Sequence, residues 1–158
     1  MPLIYKPYQA TLANKEGQKL YYPRLVKFGK MVNTQKMAEL IAEKASLTAG
    51  DVHNVIRNLM ENALKYSDAG VRIEVSLSIV NERLRVSVKD NGWGIAPCHQ
   101  RKLFTQFYRV PRSEEQQQKG YGIGLAQSKY IINEHGGEIM VKSAEGEGST
   151  FTFIIPCR

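Results

Sequence analysis

DNGWGIAPCHQRKLFTQFYRVPRSEEQQQKGYGIGL, residues Asp90–Leu125, is the stretch on which the reading of this chain turns. It opens on DNGWGI and closes on KGYGIGL, with Phe104, Phe107, Tyr108, Arg109 and a Gln-rich polar loop between them. Nine of the thirteen glycines fall between Gly92 and Gly148, so backbone freedom is concentrated in one region. Glycine takes positive φ readily and lets backbone N–H groups approach a ligand closely, as a phosphate cradle requires. A single GxGxxG says little. An ordered set of neighbours around it says much more.

Working outward, VRIEVSLSIV (Val71–Val80) alternates apolar and polar residues at period two, as a half-buried strand does. NER then turns the chain into LRVSVKD (Leu84–Asp90), an antiparallel partner. On the other side, a short helix is expected over Cys98–Phe104, and Val110–Lys119 has no apolar period and reads as a mobile loop. A longer helix is expected from about Gly122 to Glu134, closed by His135-Gly136-Gly137 as a glycine C-cap. Two last strands, EIMVKS (Glu138–Ser143) and STFTFIIP (Ser149–Pro156), are joined by AEGEG.

Upstream, HNVIRNLMENALKYS carries Asn58, Asn62 and Lys65 at i, i+4 and i+7, one stripe of a helix, beside apolar Val55, Leu59, Met60, Ala63 and Leu64. Two carboxamides in line can coordinate a hydrated Mg²⁺ through their oxygens, and a lysine one turn on can meet a phosphate. Taken alone, such a pair is more often a surface or packing feature. The same helix starts near Thr48–Asp51, after SLTAGD ends an earlier one capped by Asn33 or Thr34 and patterned on Met37, Leu40 and Ile41. Residues 1–30 alternate poorly; Lys19–Phe28 fits a strand, with Pro23 requiring an edge or a bulge.

Of the 158 residues 42% are hydrophobic and 23% charged, the composition of a globular protein. No apolar run approaches the roughly 18 residues of a membrane span, and no signal-peptide core opens the chain, so a cytoplasmic protein without membrane contact is expected. The net charge of +7 is uneven: residues 1–50 hold eight Lys/Arg against three Glu, the remainder fourteen basic against twelve acidic groups. An anionic partner for the first third and plain solvated charge both fit. Cys98 and Cys157 form no metal spacing and read as reduced thiols.

NLMENALKYS, DNGWGI, LFTQFYR, KGYGIGLA and GEGSTFTF, in that order, resemble the ATP-binding catalytic domain of sensor histidine kinases, over about Asn54–Pro156. That domain shares a superfamily with type II topoisomerases and heat-shock chaperone ATPases. The resemblance implies an α/β fold, a two-layer α/β sandwich with a mixed sheet, and a nucleotide held between a helix and a flexible lid. It implies ATP and Mg²⁺ as cofactors. Asn62 matches the Mg²⁺ ligand, with Asn58 one turn earlier; Lys65 would meet phosphate, and Tyr66 would pack by the adenine. Asp90, an acceptor-only group, would take the adenine amino group. Gly92 and Gly94 would allow close approach of the base, with Ile95 and Trp93 as core or pocket wall. Arg109 would reach the terminal phosphates. Gly120, Gly122 and Gly124 would shape the far hinge of the lid, with Lys119 as a nucleotide-binding residue beside it and the Gly122–Leu125 amides facing phosphate at a helix N-terminus. Thr150 would lie near the base. Phe104, Phe107 and Tyr108 are expected to pack the lid, and His53, His99 and His135 to be ordinary helix residues.

Hydrolytic members of that superfamily carry a glutamate where this chain has Asn58, which cannot act as a general base. Direct transfer to a protein nucleophile fits better, since phosphoryl transfer needs mainly positioning and charge neutralisation, which Mg²⁺, Lys65 and Arg109 could give, with Asn58 as the third catalytic residue of the chain. The acceptor in such kinases is a histidine followed by an acidic residue and Thr or Pro. None of the three histidines here has that context, so a partner dimerisation domain and a response regulator are implied, and no self-phosphorylation is expected.

The first third resembles something else. AELIAEKASLTAGDVHNVIRNL (Ala38–Leu59) is similar to the N-terminal helical hairpin of the HU family of histone-like DNA-binding proteins. The division implied is 1–52 HU-like, a strand plus helical hairpin, and 53–158 kinase-like. The two patterns meet within Val52–Met60, through a fusion at a shared helix or through a divergent kinase N-terminus. A histone-like DNA binder is therefore the alternative function. A fused chain would lack one sheet strand, leaving an edge that invites a homodimer or is filled by Lys19–Phe28.

Overall fold

The alternating and helical patterns become eleven elements in the computed structural model, which describes residues 2–13, 19–27, 30–45, 47–113 and 118–157, with the backbone path alone for residues 2–34. In chain order these are β1 (Pro2–Ala13), β2 (Lys19–Lys27), β3 (Lys30–Asn33), α1 (Thr34–Lys44), α2 (Ala49–Lys65), β4 (Ile73–Val80), β5 (Arg83–Asp90), α3 (Pro97–Gln100), α4 (Gly124–Glu134), β6 (Glu138–Ala144) and β7 (Gly148–Pro156). One sheet runs β3-β2-β1-β4-β5-β7-β6. Every pairing in it is antiparallel, so the expected mixed sheet is corrected: these strands join through hairpins or cross back antiparallel.

Period-two burial explains the central strands. In β5, Leu84, Val86, Val88 and Asp90 are buried while Arg83, Arg85 and Lys89 are exposed. β4 meets β5 in unbroken register from Ile73↔Asp90 to Val80↔Arg83, across a tight turn in which Asn81 and Glu82 both take positive φ. The helical layer covers the buried face. Ile41 of α1, Val52, Val55, Ile56 and Leu59 of α2 and Ile132 of α4 form one core with Val75, Val86 and Phe153 of the sheet. Thr48 caps α2 by accepting a bond from the Asp51 amide at 3.1 Å. Gly136, at φ +67°, ends α4 as expected.

The N-terminal third departs from the expectation. Three strands precede α1 rather than one, and the neighbour of β4 is β1, through Pro2↔Ser76, Leu3↔Val75 and Ile4↔Glu74. The segment expected to fill that place, Lys19–Phe28, is β2, one strand further out, with Phe28 outside the described residues. Pairing by backbone groups needs no apolar alternation, which is why poor periodicity hid β1. Pro23 sits opposite Pro7 and just past Arg24, where pairing of β2 with β3 ends, so that flank is an edge as proline requires. The helix expected over Cys98–Phe104 is regular only over Pro97–Gln100, and residues 114–117 of the expected loop lie outside the described ones.

Candidate functional site

Along α2 the stripe at i, i+4, i+7 does face inward on one cavity. A pocket of about 380 Å³ is walled by Asn58, Asn62, Lys65 and Tyr66 from this helix, by Asp90, Gly94 and Ile95, and by Gly120, Gly122, Gly124 and Leu125 from the second glycine cluster. Arg109 lines it as well. Gly92, Lys119 and Thr150 are not among its walls.

Asp90 is the buried charge of the site, with 7% of its surface exposed. Its Oδ1 accepts from the Gly92 amide at 2.8 Å and from the Ser149 amide at 3.1 Å, which leaves Oδ2 without a partner among the described residues. Burial pushes the carboxyl above its ordinary value of 3.8, and the two N–H bonds pull the other way. Gly92 therefore serves the carboxylate rather than the pocket wall. A side chain there would collide with Ser67 Oγ and the Tyr66 carbonyl. Gly94, at φ +67°, lies against the Ala144 carbonyl where a Cβ would stand, so this glycine is required by the fold as well as by the pocket.

A Cβ on Gly120 would strike the Lys65 ammonium, which places that cation at the second glycine cluster. The same ammonium lies 5.3 Å from the centre of the Tyr66 ring. Arg109 donates Nη2 to the Gln118 carbonyl, joining the two ends of the polar loop. Asn58 donates its amide to the Gly124 carbonyl at 3.2 Å and to Ser128 Oγ at 3.3 Å, so it ties α2 to the start of α4. Asn62 has no side-chain bond among the described residues, and its carboxamide is unspent in the pocket wall. Glu61 lines the rim, but Oε1 is engaged by Arg57 Nε at 2.8 Å.

Several groups escaped the sequence reading. Ser149 and Phe151 line the pocket and Thr150 does not, because successive residues of β7 point to opposite faces; Thr150 pairs between Lys89 and Lys142. The buried Phe151 and Phe153 in the sequence pattern could have indicated that Ser149, two residues before, shares their face. Arg112 lines the pocket from a stretch with no periodicity, and nothing in the sequence pointed to it. Tyr108 is a wall residue whose hydroxyl meets His99 Nδ1 at 2.6 Å, so neither is merely filling space. Among the described residues no cluster of three His, Cys, Asp or Glu could hold a metal, and no helix is long and apolar enough to cross a membrane. Both cysteines are free.

Comparison with known proteins agrees with this geometry. Residues 48–158 match the family described as histidine kinase-, DNA gyrase B-, and HSP90-like ATPase. Sensor histidine kinase WalK of Bacillus subtilis is 40% identical over 66% of this chain and 18% of its own length. Adaptive-response sensory kinase SasA of Prochlorococcus marinus is 35% identical over 97% of this chain and 40% of its own. The chain thus spans less than half of these curated relatives. Among solved structures, the catalytic domain of histidine kinase ThkA superposes with a TM-score of 0.58 at 30% identity, over 68% of each chain. Full-length ShkA in complex with AMPPNP superposes with a TM-score of 0.63 at 25% identity, over 78% of this chain and 29% of that one. The match to SasA includes the N-terminal third, and nothing in these comparisons supports an HU-like segment, a fusion or DNA binding.

Proposed function

The chain belongs to the histidine kinase-, DNA gyrase B-, and HSP90-like ATPase family, as an ATP-binding catalytic domain of the sensor histidine kinase kind, and on that premise we propose that it positions Mg·ATP for phosphoryl transfer to a histidine of a cytoplasmic two-component system. The observation that carries this reading is Asp90. A buried carboxylate with one oxygen held by two backbone amides and the other unspent is built to accept a hydrogen bond from an amino group.

The remaining walls supply complementary chemistry. Lys65, beside Gly120, and Arg109, at the polar loop, put two cations where the nucleotide's phosphates would lie. Tyr66 offers an aromatic face near the base end. Asn62 fits a Mg²⁺ ligand, since its carboxamide is unspent and a lone neutral oxygen suits an ion held mainly by phosphates and water. When bound with the nucleotide, Mg²⁺ neutralises phosphate charge. Asn58 holds the Gly124 carbonyl and Ser128, and so supports the phosphate-facing turn. Gly122–Leu125 present amides at the start of α4.

Transfer rather than hydrolysis is favoured by what the pocket lacks. Its only carboxylates among the described residues are Asp90, given to the base, and Glu61, tied to Arg57. No wall residue stands as a free general base. The acceptor histidine belongs to a partner domain, and a response regulator follows it. Calorimetric titration with Mg·ATP and Mg·ADP tests the pocket. Micromolar binding that weakens between about tenfold and a hundredfold in Asp90→Asn is expected, the loss of one charge-assisted hydrogen bond. Equal affinity in wild type and Asp90→Asn would defeat the assignment.

A further inference from the structure

We infer that Arg112 is a positioning residue for the base end of the pocket, clamping the Trp93–Gly94 backbone, rather than a second phosphate contact beside Arg109. This rests on reading the pocket as an adenine-nucleotide site. The guanidinium lies 5.2 Å from the centre of the Trp93 ring, and Nη2 donates to the Gly94 carbonyl at 2.7 Å. Both partners belong to the loop that carries Asp90's amide donor, Gly92. Arg109, three residues earlier, instead spends Nη2 on Gln118 in the polar loop itself. Two arginines of one segment thus face in different directions.

The Trp93–Gly94 backbone is held from three sides. Trp93 donates its amide to the Tyr66 carbonyl at 2.9 Å, at the end of α2. The Gly146 amide donates to the Trp93 carbonyl at 2.8 Å, from the turn between β6 and β7. Arg112 supplies the third tie, and it is the one that comes from the segment following Phe107-Tyr108-Arg109. The rings continue the row, with Trp93 edge-on to Tyr66 at 6.3 Å and the Lys65 ammonium 5.3 Å from the centre of Tyr66. A cation therefore sits at each end of an aromatic pair, one at the base loop and one at the phosphate end.

Arg112 Nε and Trp93 Nε1 are both buried without a partner among the described residues. Holding two unsatisfied donors there is unfavourable, so stacking and the Gly94 bond are what keep the guanidinium in place. A lysine has neither the plane to stack nor the fork to reach the carbonyl while stacked. Displacing Arg112 removes one of the three ties on the backbone next to the Gly92 amide, on which the Asp90 geometry depends.

The test uses the full chain as wild type, Arg112→Ala, Arg112→Lys and Arg109→Ala, titrated by NMR with adenosine, ADP and ATP in the presence of Mg²⁺, after thermal melts show each variant folded. Trp93 is the single tryptophan, so its emission in the nucleotide-free chain reports the clamp directly. In Arg112→Ala a changed Trp93 emission is expected, with adenosine, ADP and ATP weakened by one common factor of about tenfold. Arg112→Lys should restore neither, and Arg109→Ala should spare adenosine. Should Arg112→Ala not fold, Arg112→Lys carries the same comparison. Loss for ADP and ATP with adenosine unchanged would make Arg112 a phosphate contact and overturn the inference, as would unchanged emission and affinities. A wild-type chain that binds none of the three ligands would instead remove the nucleotide reading on which the clamp rests.

Discussion

Asp90 is buried with one oxygen bonded to two amides, so its protonation affects stability and binding in opposite ways. Its carboxyl is raised above the ordinary 3.8 by burial, so between that value and the raised one the folded chain binds more protons than the unfolded chain. Stability then has a negative slope against pH from this group: it rises as pH falls through the raised value and levels off below 3.8. Nucleotide affinity should do the reverse, because a protonated carboxyl presents a donor where an acceptor is needed. Affinity measured from pH 7 downward should fall at a higher pH than an unperturbed aspartate would allow, and Asp90→Asn should flatten that fall. A profile that does not differ between the two would contradict the role of Asp90. Gly94→Ala is the backbone counterpart. It forces a side chain into φ +67° against the Ala144 carbonyl, and a loss of about 3 kcal/mol in denaturant unfolding is expected.

Between elements, the tie from α2 to α4 is the clearest case of a residue whose role the helix stripe alone could not assign. Asn58, Asn62 and Lys65 share a face in sequence, yet Asn58 spends its amide on Gly124 and Ser128 while Asn62 stays unspent. Asn58→Asp would set a carboxylate against the Gly124 carbonyl and leave the fully buried Ser128 hydroxyl short of one partner. A stability loss of about 2 kcal/mol is expected, with a smaller loss for Ser128→Ala, both read from urea midpoints. An Asn58→Asp chain as stable as wild type would show that the tie is idle. Strand β7 makes the same point at one-residue resolution. The glycine box marked the neighbourhood of the pocket, but only alternation about Phe151 separates Ser149 from Thr150.

For the molecule as a whole, the pocket walls among the described residues run from Asn58 to Phe151, while the three N-terminal strands stand beyond β4 in the sheet order. Those strands add to the sheet at β4, through Pro2–Ile4. A chain starting at Thr34 should therefore keep its nucleotide affinity within about threefold while exposing the β4 edge, and so self-associate in light scattering. Loss of nucleotide binding in a folded monomer would show instead that the strands support the site. The core beneath should respond as one unit: Phe153→Ala, at 0% exposure between β5 and β6, should cost about 4 kcal/mol.

By itself the sequence determined the α/β class, the family, and which helix and glycine clusters would wall the pocket. Those features are local: period-two and 3.6-residue patterns, positive-φ glycines and short boxes survive in one dimension. Only the tertiary structure decided that every strand pairing is antiparallel, that β1 rather than β2 borders β4, and that Arg112 folds back onto Trp93. It also decided which oxygen of Asp90 is held by backbone amides and which has no partner among the described residues. Strand order and side-chain direction in irregular segments depend on contacts between residues far apart in the chain. Backbone pairing and cation–ring stacking leave no period in the residues that make them.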